Sequence, residues 1–407
     1  MVKPWDTATI GDFLDFKNGL NKGKEFFGYG TPIVNYTDVY RKRGLTKSDV
    51  RGKVNLTRDE IHRFDARKND VFFTRTSETP EEVGMSSVLL DDIDDCVFSG
   101  FVLRGRPKND MFVPEYCKYC FTTEAIRSAI IMGCTYTTRA LTNGTQLSAI
   151  EIVVPPKPEQ EAIAKSLTEI DDLISSLEKL ITKKKAIKQG AMQELLTGKR
   201  RLPGFNGAWQ VVKLEDICSK ITDGSHESPP ESDIGYYMPS VKDMRSTGFD
   251  YSECKKISYS DFKKLERNGC RPDVGDVLIA KDGSILKYAF VQEKAENIVI
   301  LSSIAIVTPH SDRVDSYFLA QYFRQQNFVE QVITSYKSGT GVPRIVLKRF
   351  KQIVLFIPES VAEQAAIAKI LVDMDIEVTG LEKELAKYRQ VKQGMMQQLL
   401  TGKIRLV

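Results

Sequence analysis

The sequence contains no long apolar run. Its longest, NIVILSSIAIV at 297–307, is interrupted by two serines and falls far short of the ~20 residues needed to cross a bilayer. It reads as a buried strand, and no membrane partner is expected. The opening MVKPWDTATIGDF lacks an apolar stretch, so no secretory signal is expected. Histidine is scarce: His62, His226 and His310 are the only three, far apart and each in a polar, loop-like setting. Neither a catalytic triad nor a histidine-built metal site is expected from them. The seven cysteines are odd in number and scattered, which predicts reduced thiols in a cytoplasmic protein rather than a disulfide framework. Excess charge of one sign is also missing. With 58 basic and 54 acidic residues the net charge is +4, so any nucleic-acid role must rest on local patches.

Catalytic signatures are missing too. SPPE (228–231) and VPPK (154–157) lack the aromatic residue that follows Pro-Pro in an amine-directed methyltransferase loop, and both read as linkers. TGK at 197–199 and 401–403 has no upstream glycine and no following Ser or Thr to hold magnesium, so it is no phosphate-binding loop. ECK (253–255) precedes Pro272-Asp273 instead of following it, against a nuclease of the Pro-Asp…Glu-x-Lys type. Cys117-Lys-Tyr-Cys120 is a single CxxC with no second pair and apolar neighbours, read as structural. No catalytic or metal-ligating residue is nominated, no cofactor is expected on this chain, and the chain is not expected to be an enzyme by itself.

What is present is a repeat. Shifting the chain by 204 positions aligns Glu159–Leu202 with Glu363–Leu406 without a gap, and 24 of the 44 pairs are identical, the mark of a true internal duplication. Both copies close on one phrase, LLTGKRRL and LLTGKIRL. Upstream the likeness thins. NDVFFTR (69–75) answers GDVLIAK (275–281), and Trp5 answers Trp209. The chain thus alternates a variable and a nearly constant part, with boundaries at 1–152, 153–202, 203–357 and 358–407.

Each constant part predicts one long amphipathic helix. Ile163, Leu167, Ile170, Ile174, Leu177 and Ile181 recur at spacings of three and four, as do Ile367, Leu371, Met374, Val378, Leu381 and Leu385. This is the period of a coiled-coil seam. Pro158 suits a first helical position, Ser360 with Glu363 reads as a capping box, and Gly198 and Gly402 suit left-handed helix ends. Two such helices most simply pack against each other as an antiparallel pair. Gly190 and Gly394 break the pattern at equivalent places, which suggests a close crossing or a kink.

The variable parts read as α+β domains of short strands and turns, with helices expected near 114–132 and 314–336. Their candidate nucleic-acid contacts are basic clusters on glycine-bearing loops. Arg41, Lys42 and Arg43 stand in YRKRGLTKSDVRGK, and HRFDARK (62–68) continues that cluster. The second unit offers Lys242 and Arg245 in VKDMRS, Lys281 and Ser284 in IAKDGSILKY, and Lys337, Thr340 and Arg344 in YKSGTGVPRIVLKRFK. Such residue types suit phosphate and base-edge contacts, although a solvated surface uses them as well.

Variable unit, long helix ending LLTGKxRL, variable unit, long helix ending the same way: this pattern, with PEQEAIA, EQAAIAKIL, DVFFTR, DVLIAK and SGTGVPRI, resembles the specificity subunit of type I restriction–modification systems over the whole chain. The resemblance implies two globular target recognition domains and an antiparallel coiled coil that sets the spacing between two halves of an asymmetric double-stranded DNA site. It also implies two methyltransferase subunits as partners, with restriction–translocase subunits beside them. S-adenosylmethionine, ATP and magnesium would then be held by those partners. It nominates Arg75 and Thr76 after the DVFFTR strand as counterparts of Lys281 and Ser284. The first unit offers GCTYTTRAL (133–141) where the second has its Gly-rich loop, which points to Thr138 and Arg139. A non-catalytic coiled-coil scaffold with protein-binding ends stays open as an alternative, as does a chain serving one fused methyltransferase–nuclease, and as does self-pairing of the isolated chain.

Overall fold

A computed structural model describes residues 5–136, 138–336 and 344–406. The chain is mixed α/β and forms two compact units: residues 1–178 with 384–407, and residues 179–383.

The first unit is built on a five-stranded sheet of β1 (Leu14–Asn18), β2 (Gly44–Leu45), β3 (Val71–Thr74), β4 (Ser86–Leu89) and β5 (Val102–Pro107), in the order β1-β5-β3-β4-β2. Neighbours are antiparallel except β2 and β4. All four residues of β3 are buried, which is why DVFFTR reads as a continuous apolar run instead of an alternating one. Helix α1 (Lys157–Leu195) follows. The second unit is built on β6 (Cys218–Asp223), β7 (Val277–Ala280), β8 (Ala289–Val291) and β9 (Ile304–Pro309), in the order β6-β9-β7-β8, and helix α2 (Val361–Leu399) closes the chain. The order matches β1-β5-β3-β4, so the duplication persists in topology where sequence identity has faded. Only the second half of NIVILSSIAIV is a strand; Ile298, Val299 and Ile300 are buried without entering one.

Both expected domain helices are broken in two: Pro114–Cys117 and Glu124–Gly133, then Ser316–Tyr322 and Gln326–Tyr336. At the first break Thr123 caps a new start by accepting from Ile126 N–H. At the second, the Gln325 side chain accepts from Phe328 N–H. Capping side chains supply partners for N–H groups that a continuous helix would have paired internally.

Each long helix has 39 residues, about 60 Å at ~1.5 Å per residue. Gly198 and Gly402 lie beyond the helix ends with φ of 71° and 70°. At each a side chain would press on a tryptophan ring, Trp209 or Trp5, at 3.3 and 3.2 Å. Gly190 and Gly394 are different. Among the described residues a Cβ built at either meets nothing within 4 Å, so no close crossing requires them. The capping box at Ser360 is half formed. Its hydroxyl accepts from Glu363 N–H at 3.4 Å, but the Glu363 carboxylate goes elsewhere.

That carboxylate accepts from Arg201 Nε and Nη2 at 2.7 and 2.8 Å, and Arg201 lies 5.7 Å from the Trp209 ring. In the first unit Glu159 accepts from Arg405, with Trp5 Nε1 donating to it at 3.0 Å and Arg405 lying 4.9 Å from that ring. Within each unit, then, the arginine ending one helical copy holds the buried glutamate starting the other. The next residues, Gln160 and Gln364, are also fully buried and satisfied: each donates to two backbone carbonyls and accepts one backbone N–H. Ile163 and Leu167 join the first unit's core with Leu399 and Leu400, while Ile367 and Leu371 join the second unit's core with Leu195 and Leu196. These four seam residues therefore pack as much into domain cores as against a helix. Ile170, Leu177, Ile181 and Val378 are buried too, and Ile174, Met374, Leu381 and Leu385 half-buried.

Ion pairs fix the sense of the helical segments within each unit. Asp171 pairs with Lys392 and Glu178 with Arg389 in the first; Lys185 pairs with Glu382 and Lys188 with Asp375 in the second. One number rises as the other falls, the pattern of segments running in opposite directions.

Removing Arg201 strands a buried carboxylate. Arg201→Ala is expected to destabilise the protein by roughly 3–5 kcal/mol in chemical denaturation, with Glu363→Gln/Arg201→Ala recovering part of the loss; equal losses in the single and double variants would dismiss the pair. Burial raises the Glu159 carboxyl, but its bonds from Arg405 and Trp5 outweigh that and hold it below its ordinary value. A depressed folded-state value means stability present above the unfolded-state value and lost as pH falls through the folded one. Arg405→Ala is expected to flatten that acid-side loss in a denaturation series.

Candidate nucleic-acid interface

The sequence candidates divide by what their side chains already hold. In the first unit the short strand Thr76–Ser77 pairs with Ala140–Leu141, which in turn pairs with Thr135–Tyr136. This brings Thr76 and Arg139 to one place although 63 positions separate them. Both line a cavity of about 400 Å³ together with Tyr36, Tyr40, Ser77, Glu78, Glu82 and Phe101. Arg75 is tied by its backbone, donating to Phe101 O at 2.9 Å and accepting from Thr142 N at 3.0 Å. Its buried Nε has no hydrogen-bond partner among the described residues.

Helix Tyr36–Arg41 starts at Asn35, whose backbone N–H donates to Asp38 at 2.9 Å. It carries Tyr36 and Tyr40 as a stacked pair, ring centroids 5.8 Å apart and planes 13° apart. Tyr40 O–H donates to Glu82 Oε1 at 2.8 Å and Ser77 O–H to Oε2 at 3.1 Å. The bond to Glu82 raises the Tyr40 phenol above its ordinary value. Arg41 is exposed and Lys42 pairs with Asp49. Arg43 turns inward, 3.3 Å from Met396 Sδ and 6.0 Å from the Tyr119 ring, and it lies against α2 instead of extending the basic run. Arg67 in the neighbouring cluster pairs with Asp65, which also receives Arg104 and Arg106.

In the second unit Lys242 is exposed, and Arg245 donates to Asp250 Oδ2 at 2.8 Å and to the Lys242 and Met244 carbonyls. Lys281 differs from its expected placement. It is 4% exposed, with its ammonium 3.2 Å from both Asp223 and Asp282. It stands at the end of the central strand, where burial of the aliphatic stem is compulsory and the charge must find carboxylates within the fold. Its backbone accepts from Ile345 N–H at 3.0 Å, and Asp282 bridges Arg344. Lys281 therefore stands where two segments meet, one carrying half-buried Ser284 and the other exposed Arg344. Lys337 and Thr340 lie outside the described residues, as does most of SGTGVPRI.

Sequence reasoning missed Phe101, Tyr36, Tyr40, Glu78 and Glu82. A usable signal existed in SGF: an aromatic after glycine, out of step with the buried pattern around it, is 57% exposed. Among the described residues no three His, Cys, Asp or Glu side chains are placed to hold a metal ion, and no helix is long and apolar enough to cross a membrane. Cys117 and Cys120 are buried free thiols, and burial beside Cys117 drives the Cys120 thiol well above its ordinary value.

With this geometry in hand, comparison with known proteins defines the class. The type I restriction modification DNA specificity domain matches twice, over residues 2–189 and 206–392. The chain belongs to the family of type I restriction–modification specificity subunits. It is 25% identical over 435 residues to the type I restriction enzyme MjaVIII specificity subunit of Methanocaldococcus jannaschii, covering 99% of this chain and 93% of that one. It is 24% identical over 185 residues to the EcoKI specificity subunit of Escherichia coli, covering 45% and 39%. Its fold is similar to a crystal structure of the type I S subunit from M. genitalium, with a TM-score of 0.59, 15% identity and coverage of 97% and 96%.

Because buried Lys281 pairs with two carboxylates, Lys281→Ala is expected to lower thermal stability without DNA present, by roughly 3 kcal/mol or more. An unchanged melting curve with weakened DNA binding would return Lys281 to the interface.

Proposed function

We propose that this chain is the non-catalytic DNA-reading subunit of a type I restriction–modification complex. Its two domains, 1–152 and 203–357, would each read one half of a bipartite, asymmetric double-stranded site. The two long helices would form an antiparallel coiled coil that sets the spacing and docks two methyltransferase subunits, with restriction–translocase subunits joining in the cytoplasm. S-adenosylmethionine, ATP and magnesium would sit on those partners. The carrying observation is that the family's DNA specificity domain matches once in each half, while identity between the halves is concentrated in the helices and falls away in the domain loops. Like helices suit two copies of one partner; unlike loops suit two different sequences. Arg41, Lys42, Arg75, Thr76, Arg139, Lys242, Arg245, Ser284 and Arg344 are the described side chains proposed to face DNA.

The test is co-expression with a methyltransferase partner followed by mapping of methylated bases in the host genome. A two-part motif is expected, and replacing 203–357 with the matching part of a relative should change one half of it alone. A motif indifferent to that exchange would refute the division of labour. Affinity of the assembled complex should also fall steeply with salt, because phosphate contacts release counterions; a flat response would favour the scaffold reading.

A further inference from the structure

The cavity beside Thr76 has a composition unlike a phosphate site. Among the described residues it offers one cation, Arg139, against two carboxylates, Glu78 and Glu82, so a DNA phosphate entering it would meet net repulsion. Its remaining surface is aromatic and hydroxylic. Phe101 is 57% and Tyr40 40% exposed, and Tyr36 and Tyr40 already form a two-ring stack that a further planar ring could extend. Glu82 is held from both sides, by Tyr40 and by Ser77, and each carboxylate oxygen retains acceptor capacity for an amine.

Planar faces for stacking, a fixed carboxylate and a single guanidinium match a nucleobase, which has π faces, exocyclic amine donors and ring acceptors. A base stacked in duplex DNA presents only its edges in the grooves. A concave site walled by aromatic rings can use both faces of a base only if that base has left the stack.

We propose that the Tyr36–Tyr40–Phe101–Arg139 cavity of the first domain receives one extruded nucleobase of the half-site that this domain reads, at a position other than the methylated base. This rests on the DNA-recognition reading above. Phe101 and Tyr40 would stack on the base, and Glu82 with Arg139 would read its hydrogen-bonding edge, which makes these residues determinants of specificity at that position.

The experiment uses the complex with its methyltransferase subunits and duplexes bearing the mapped target. Each base of the first domain's half-site, apart from the methylated base, is placed in turn opposite a mismatch or an abasic site. Unpairing is then already done, so one position should bind about tenfold tighter than matched DNA. Phe101→Ala and, separately, Arg139→Ala should abolish that gain while the complex stays assembled. Equal binding of matched and mismatched duplexes at every tested position would overturn the proposal, as would a gain that survives both substitutions. Loss of all sequence-specific binding by the unaltered complex would instead remove the DNA-recognition reading beneath it.

Discussion

The fold depends on a buried carboxylate at the start of each long helix and the arginine that reaches it from the end of the other copy. Glu159 and Glu363 are fully buried, and a charge of that kind is tolerated only when paired and hydrogen-bonded. Arg405 and Arg201 supply the pairing. Neither arginine could do so unless the helix before it had stopped, and a glycine in the left-handed region makes that stop. A side chain at Gly198 or Gly402 would press on the tryptophan that flanks the arginine. Leucines, threonine, glycine and arginine thus recur together in the two phrases because they build one device: helix end, turn, tryptophan contact, ion pair.

The device also explains where the sequence may vary. Glu, Gln, the two leucines, Gly and Arg are fixed at both places by contacts inside their own unit. The strands need only apolar character, and β3 and β7 share just Val71/Val277 in kind and place. Loops are released from both demands. The two copies are not identical in detail, however. Trp5 donates to Glu159, whereas Trp209 Nε1 is buried with no partner among the described residues. The first lock has a donor that the second lacks.

Periodicity made the long helices legible, since an apolar residue every three or four positions leaves few alternatives over 39 residues. The same signal could not say what the stripe touches, and Ile163 and Ile367 meet domain cores. Capping was legible in Thr-Glu-Ala-Ile at 123–126 only in hindsight, because a short Thr cap competes with a longer apolar pattern running through it. Basic residues were legible as a type but not as a state. Whether a lysine is free depends on acids brought in by topology: Asp223 lies 58 positions from Lys281, and no local pattern announces it. The aromatic cavity was hidden for the same reason, its walls coming from residues 36–40, 76–82, 101 and 139.

Those two cases show how a basic patch count misleads about recognition. In the second domain a nominated cation is spent on two aspartates, and any effect on DNA would pass through the two segments that meet at it. In the first domain the cavity's acids outnumber its base among the described residues, so on the proposed reading attraction to the phosphate backbone would come from exposed neighbours such as Arg41 and selection from the cavity. Long-range charge brings DNA near without regard to sequence, and discrimination follows from groups with fixed directions. Glu82, held from two sides before any ligand arrives, is such a group; a solvated lysine on a loop is not.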